Sequence, residues 1–227
     1  LAYGGGDFFG GGSFAVLGLW LMFFYTTYAG LSPAQAGAVI AIARLLDAFF
    51  DPLMGYVTDN FYRTKVGQKF GRRGFFFLFG GPLVMLTYII MWVDGMSFLY
   101  YLSTYILFYA AYTLVIVPYE TLAAEMTNDF KERSKLTGVR MFFSTGAGIL
   151  AAWLPGRIIS FLGDSNPSSF LYMGVIFGVL FAVVIMCLYL FTWERPIAFD
   201  PNSPKKNFSR DMKHLFRSLV STFQLRT

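Results

Sequence analysis

Cysteine is nearly absent from this chain of 227 residues: Cys187 is the only one and lies inside an apolar run. That excludes an intrachain disulfide and leaves Cys187 a packing residue. Histidine also occurs once, as His214 in a basic tail, so no zinc cluster of the usual His/Cys kind can be assembled. Charge is scarce as well. Asp, Glu, Lys and Arg supply 14% of the residues, against about 25% in soluble domains. In their place stand hydrophobic residues at 56% and aromatics at 20%, with 27 Phe. The imbalance argues against a water-soluble domain and places the chain in a bilayer, where aromatics suit lipid-facing surfaces and interfacial belts. No Met opens the sequence and Leu1 leads almost at once into apolar residues, so no cleavable signal peptide is visible and the start reads as truncated.

What is present is a series of long apolar stretches. A search for runs of about 20 residues gives six spans, at roughly 3–29, 34–59, 74–94, 97–124, 137–162 and 169–193. The connections alternate between tiny ones (Leu31–Pro33, Asp94–Met96, Gly163–Ser168) and long polar ones (Asn60–Arg73, Glu125–Leu136, Glu194–Thr227). Fifteen Lys and Arg lie outside the spans, all on the long-loop side. By the positive-inside rule the N-terminus and the long loops are cytoplasmic and the short hairpins face outward, as in a multi-pass protein of a bacterial inner membrane. The same distribution accounts for the net charge of +5 without nucleic acid as a partner. The expected organisation is all-α: a six-helix transmembrane bundle over 1–193 and a basic cytoplasmic linker over 194–227. In that linker, apolar residues at 208, 212, 215, 216, 219, 220 and 223 alternate with Arg210, Lys213 and Arg217, which predicts an amphipathic helix on the membrane surface.

Some charges fall inside the spans: Asp7, Arg44, Asp47, Asp51, Glu120, Arg140 and Arg157. Charges at that depth cost several kcal/mol and face partners or watery cavities, so each is a candidate functional residue. Arg157 is close enough to the outer end for its stem to snorkel to the headgroups. Arg44, Asp47 and Asp51 stand at i, i+3 and i+7, on one helical face. Two carboxylates one turn apart repel unless positive charge lies between them. Arg44 can supply part of it as structural support, and a bound Na⁺ or a shared proton the rest.

Counting inward from the outer helix ends sorts these residues by depth. Asp47 and Asp51 lie 13 and 17 residues from Ala34, and Thr113 lies 16 from Ser97. Asp7, Glu120 and Arg140 lie 22 or 23 residues in, a second level nearer the cytoplasm. Gly4–Gly6 and Gly10–Gly12 flank Asp7, but no Gly-Lys-Ser/Thr follows, so they are not a phosphate loop. They let the first helix approach its neighbours and bend around Asp7. Pro118 would free a carbonyl near Leu114 and bend the fourth helix.

The run RLLDAFFDPLMGYVTD, Arg44–Asp59, with two aspartates four apart and then Pro-x-x-Gly, closely resembles the helix-two signature of the glycoside-pentoside-hexuronide cation symporters of the major facilitator superfamily. VPYETLAAEMTNDFKERSKLTGVR, Val117–Arg140, resembles the same family's passage from helix four to helix five. GGDFFGGGSF and LMFFYTTYAGLS resemble its first helix more weakly. In the melibiose carriers of that family the paired aspartates and a helix-four threonine form the cation site, which the resemblance carries onto Asp47, Asp51 and Thr113. Its sugar site uses a helix-one aspartate and a helix-five arginine, matching Asp7 and Arg140. A further aspartate and a tryptophan of helix four fall here on Ile116 and Glu120, so the sugar site is altered. Family proteins hold their solute between two six-helix bundles, and the resemblance implies that this chain is the N-terminal one, lacking its C-terminal six-helix partner.

The function expected is cation-coupled symport of a sugar or related small polar solute by alternating access, with Na⁺ or H⁺ as coupling ion and no other cofactor. A carrier of lipid or lysolipid is the alternative, since the resemblance reaches such carriers and the tryptophan platform is gone. An intramembrane aspartyl enzyme needs two carboxylates meeting from different helices, whereas Asp47 and Asp51 share one. A non-transporting scaffold or channel would not need two charged layers.

Overall fold

The computed structural model describes residues 1–163 and 166–194, which fall within one compact unit, Leu1–Arg195. The amphipathic helix expected over 208–223 and His214 lie outside the described residues. Eight helices follow in order: α1 (Ala2–Gly5), α2 (Asp7–Thr27), α3 (Pro33–Asn60), α4 (Lys65–Phe70), α5 (Gly74–Ile90), α6 (Phe98–Met126), α7 (Phe130–Leu162) and α8 (Ser168–Phe191). The helical path from α1 to α2 is interrupted only at Gly6, next to Asp7, so the two make one membrane-crossing stretch. The expected bend at Pro118 does not break α6, which runs through it.

Helix starts are written in short polar signals. Ser32 Oγ accepts from the Gln35 amide (3.3 Å) while Gln35 Oε1 accepts from the Ser32 amide (2.9 Å), and Pro33 opens the first turn of α3. Ser97 caps α6 through the Tyr100 amide. Asp129 Oδ1 accepts from the Lys131 amide at 2.9 Å and so starts α7 at Phe130. This corrects the sequence expectation of a long loop over Glu125–Leu136, of which only 127–129 is non-helical. Hydropathy places a boundary where charge begins, but Lys131, Glu132, Arg133 and Lys135 are sound helix formers, so the helix continues beyond the apolar layer.

Among the described residues, four helical stretches are long and apolar enough to cross a membrane by length and composition: Ala2–Thr27, Phe98–Met126, Phe130–Leu162 and Ser168–Phe191. The other two of the six expected spans fall short for different reasons. α3 has 28 residues but carries Arg44, Asp47, Asp51 and Asp59. α5 has 17, about 25 Å at 1.5 Å per residue, and ends at Ile90 rather than near Asp94. The six long helices nonetheless pack as one bundle, α2 on α7, α3 on α6, and α5 on both α6 and α8.

Two kinds of contact hold the bundle. Between α2 and α7 small residues let backbones nearly touch: a methyl added at Gly11 would lie 2.3 Å from Ser144 Oγ, and one at Gly12 2.9 Å from Ala147 Cβ. At the end with the short connections the core is aromatic. Phe24, Tyr25, Trp92, Tyr101 and Phe170 are fully buried, with Trp92 and Phe170 stacked at 6.1 Å. Large apolar residues such as Leu86, Leu107, Ile176 and Val183 face outward, as lipid-facing positions do.

Candidate solute and cation layers

α3 and α6 meet at a polar contact inside an otherwise apolar interface. Thr113 is fully buried, and its hydroxyl donates to Asp47 Oδ1 at 2.9 Å. A β-branched residue in the middle of α6 thus spends its hydroxyl on a carboxylate of another helix rather than on its own backbone. Asp51, one turn along α3, is exposed on the side of the bundle that no described helix covers. Arg44 is exposed too and makes no salt bridge with either aspartate among the described residues, although its charge acts on Asp47 through space. It thus supplies charge at a distance rather than a direct ion pair. Two carboxylates and a hydroxyl offer oxygen donors of the kind a hard cation takes. Among the described residues no cluster of three or more His, Cys, Asp or Glu gathers.

The second charged group lies one to two turns away. From Thr113 to Glu120 is seven residues of α6, about 10 Å along the axis. Here α2 begins with Asp7, and Arg140 of α7 donates from Nη2 to Asp7 Oδ1 at 2.9 Å. Arg140 Nη1 also donates to the Tyr3 hydroxyl at 3.5 Å, and the guanidinium lies 4.8 Å from the Tyr119 ring centre and 5.9 Å from that of Tyr3. Tyr119 in turn donates to the Tyr3 carbonyl at 2.9 Å, and the two rings are 4.9 Å apart. Tyr112 reaches the Gly10 carbonyl at 3.1 Å. Close by, a side chain at Gly10 would come within 3.1 Å of both Asp7 Oδ1 and the Ile116 side chain. The glycine run thus leaves room for α6 to approach Asp7.

Of the residues expected at this level, Asp7 and Arg140 come together and remain half-buried, while Glu120 is exposed and pairs with no cation among the described residues. Tyr3, Tyr112 and Tyr119 were not legible as site residues. Their only sequence signal is proximity to charged positions, Tyr119 beside Glu120 and Tyr3 four before Asp7.

A third polar cluster, at the basic end of the bundle, also escaped the sequence reading. Arg73 caps α5 and is 5% exposed. Its guanidinium pairs with Glu125 of α6 at 2.7 Å and donates to the Pro118 carbonyl at 3.3 Å; Arg72 pairs with the same carboxylate. The amides of Arg72 and Arg73 donate to the two carboxylate oxygens of Glu194 at 2.6 and 2.8 Å. Burial, with the like charge of Arg72 adding to it, pulls the Arg73 pKa down to about 10, which leaves it charged at neutral pH.

With this geometry in place, comparison with known proteins is informative. Residues 2–223 match the family described as MFS/sugar transport protein. The chain is 30% identical over 199 residues to the uncharacterized symporter YnaJ of Bacillus subtilis (strain 168), covering 86% of this chain and 42% of that protein. It is 29% identical over 200 residues to the glucuronide carrier protein homolog of Escherichia coli (strain K12), again 86% and 42%. A more distant likeness, 27% over 152 residues, is to the sodium-dependent lysophosphatidylcholine symporter 1 of Mus musculus, covering 63% of this chain and 28% of that protein. The chain thus spans less than half the length of these relatives.

Proposed function

The chain belongs to the MFS/sugar transport protein family, and from that membership we propose that it forms the N-terminal six-helix half of a secondary carrier. The carrier would couple Na⁺ or H⁺ to the symport of a sugar or similar small polar solute. Relatives named as symporters and as a glucuronide carrier homolog support the class, and their greater length supports the half. The observation that carries the reading is the Thr113–Asp47 bond, which joins α3 and α6 beside the exposed Asp51, one to two turns from the Asp7–Arg140 pair.

In this reading Asp47, Asp51 and Thr113 hold the coupling ion, while Asp7, Arg140 and Glu120 meet the solute. Two uncompensated carboxylates facing the second bundle resist closure, because occlusion strips water from both. A cation or proton removes that penalty, so the loaded carrier passes through the occluded state and the empty one does not. Solute hydroxyls would donate to Asp7 and Glu120 and accept from Arg140, whose planar fork is held in place by Asp7 and Tyr119. The basic end, with the α4 loop and the start of α7, is assigned to the cytoplasm by the positive-inside rule.

The test uses the full-length carrier in proteoliposomes, with solute binding measured as Na⁺ or H⁺ is varied. Asp47→Asn and Asp51→Asn should each abolish cation stimulation while solute-only binding survives in part. Wild-type stimulation in both variants would refute the coupling site. A second reading, transport of a lysolipid, is favoured by the likeness to the lysophosphatidylcholine symporter. Competition by lysophosphatidylcholine but not by any sugar would select it.

A further inference from the structure

The layer read above as solute-binding carries two carboxylates and one guanidinium, and their pairing is unequal. Arg140 is already committed. Asp7 neutralises it at 2.9 Å, the Tyr3 hydroxyl takes a second donor, and Tyr119 covers a face of the guanidinium at 4.8 Å. Glu120 has no such partner: it is exposed, and none of the salt bridges among the described residues includes it. Its carboxylate nevertheless belongs to the same space. It follows Tyr119 in sequence, shares a face of α6 with Thr113 and Ile116, and its charge acts together with that of Asp7 on the Tyr3 and Tyr112 hydroxyls. The layer is therefore left with one negative charge in excess.

We propose that Glu120 makes this layer select against anions, so that the solute is an uncharged glycoside or polyol and hexuronides are rejected. The inference rests on the reading of Asp7, Arg140 and Glu120 as a solute layer. A polyhydroxyl solute satisfies the groups on offer, because carboxylates accept from hydroxyls and the remaining guanidinium N–H groups donate to them. A solute carboxylate only accepts. It meets two further acceptors, and the one nearby cation is already neutralised by Asp7. Discrimination here comes from repulsion built into the site. A unit charge at about 6 Å in a partly watery cavity is worth about tenfold or more in affinity.

The experiment is equilibrium competition in the full-length carrier, using methyl glucosides, galactosides and xylosides alongside methyl glucuronides and galacturonides. The matched pairs differ chiefly in a hydroxymethyl group against a carboxylate. Wild-type protein should bind the neutral member at least about tenfold more tightly. Glu120→Gln should shrink the neutral-to-anionic ratio by about tenfold, and Glu120→Asp, which keeps the charge, should preserve most of it. The readout is a ratio, so a general loss of affinity in a variant does not mimic the effect. A ratio unchanged in Glu120→Gln, or a wild-type preference for uronides, overturns the inference and leaves the sugar-carrier reading standing. Failure of both series to bind overturns both.

Discussion

The Thr113–Asp47 bond gives the sharpest quantitative test of the coupling layer. Thr113→Val removes one oxygen and one donor while keeping the volume and the β-branch, so the fully buried position stays filled. A hydrogen bond to a charged group contributes about 1.5–3 kcal/mol. Asp47 is only half-buried, and water replaces part of what the hydroxyl gave, so the lower figure applies. About 1.5 kcal/mol corresponds to roughly tenfold in an equilibrium constant. With Na⁺ as the coupling ion and the hydroxyl oxygen among its ligands, the Na⁺ concentration for half-maximal stimulation of solute binding should therefore rise about tenfold. Thr113→Ser, which keeps the oxygen, should recover most of the affinity. The assay is binding of labelled solute to the full-length carrier in proteoliposomes, titrated with Na⁺ at fixed pH and with H⁺ in its absence. Two results would refute the reasoning: a wild-type titration in Thr113→Val, or equal losses in the Val and Ser variants, which would make the effect one of packing.

Two further outcomes are expected. Arg140→Lys should weaken solute binding although the charge is kept, since an ammonium cannot bond Asp7 and the Tyr3 hydroxyl while lying across the Tyr119 ring; isothermal titration of the variant checks this, and unchanged affinity would return the pair to a structural role. Cysteines placed in the α4 loop or at the start of α7 should react with impermeant thiol reagents only from the cytoplasmic side, and labelling of intact cells from outside would invert the assigned orientation.

The helices and the two charged levels were legible because each depends on a local count. Apolar length gives the span, and position from the helix end gives the depth, so Asp7 and Arg140, 133 positions apart in sequence, count to one level, and in the structure they are in contact at 2.9 Å. The start of α7 was not legible, since Lys131–Lys135 reads as loop by hydropathy and as helix by propensity, and the Asp129 cap decides between them. Arg44, which makes no salt bridge with either aspartate among the described residues, marks a related limit. Spacing on a helix says that two side chains share a face, not that they turn towards each other. The Tyr3–Tyr119 seat of Arg140 and the grip of Glu194 on the Arg72 and Arg73 amides depend on how distant segments pack, and no local pattern carries that information.

The near-contact of α2 with α7 bears on how such a half can move. Where a single methyl at Gly11 or Gly12 would collide with the opposite helix, the two helices already lie at contact distance and cannot approach further or slide freely past one another. In the proposed carrier Asp7 and Arg140 would then move together as fixtures on one plate. Opening and closing in such a carrier would be taken up at surfaces this bundle shares with other parts of it. A solute would then meet the same preset arrangement of donors and acceptors from whichever side it arrives.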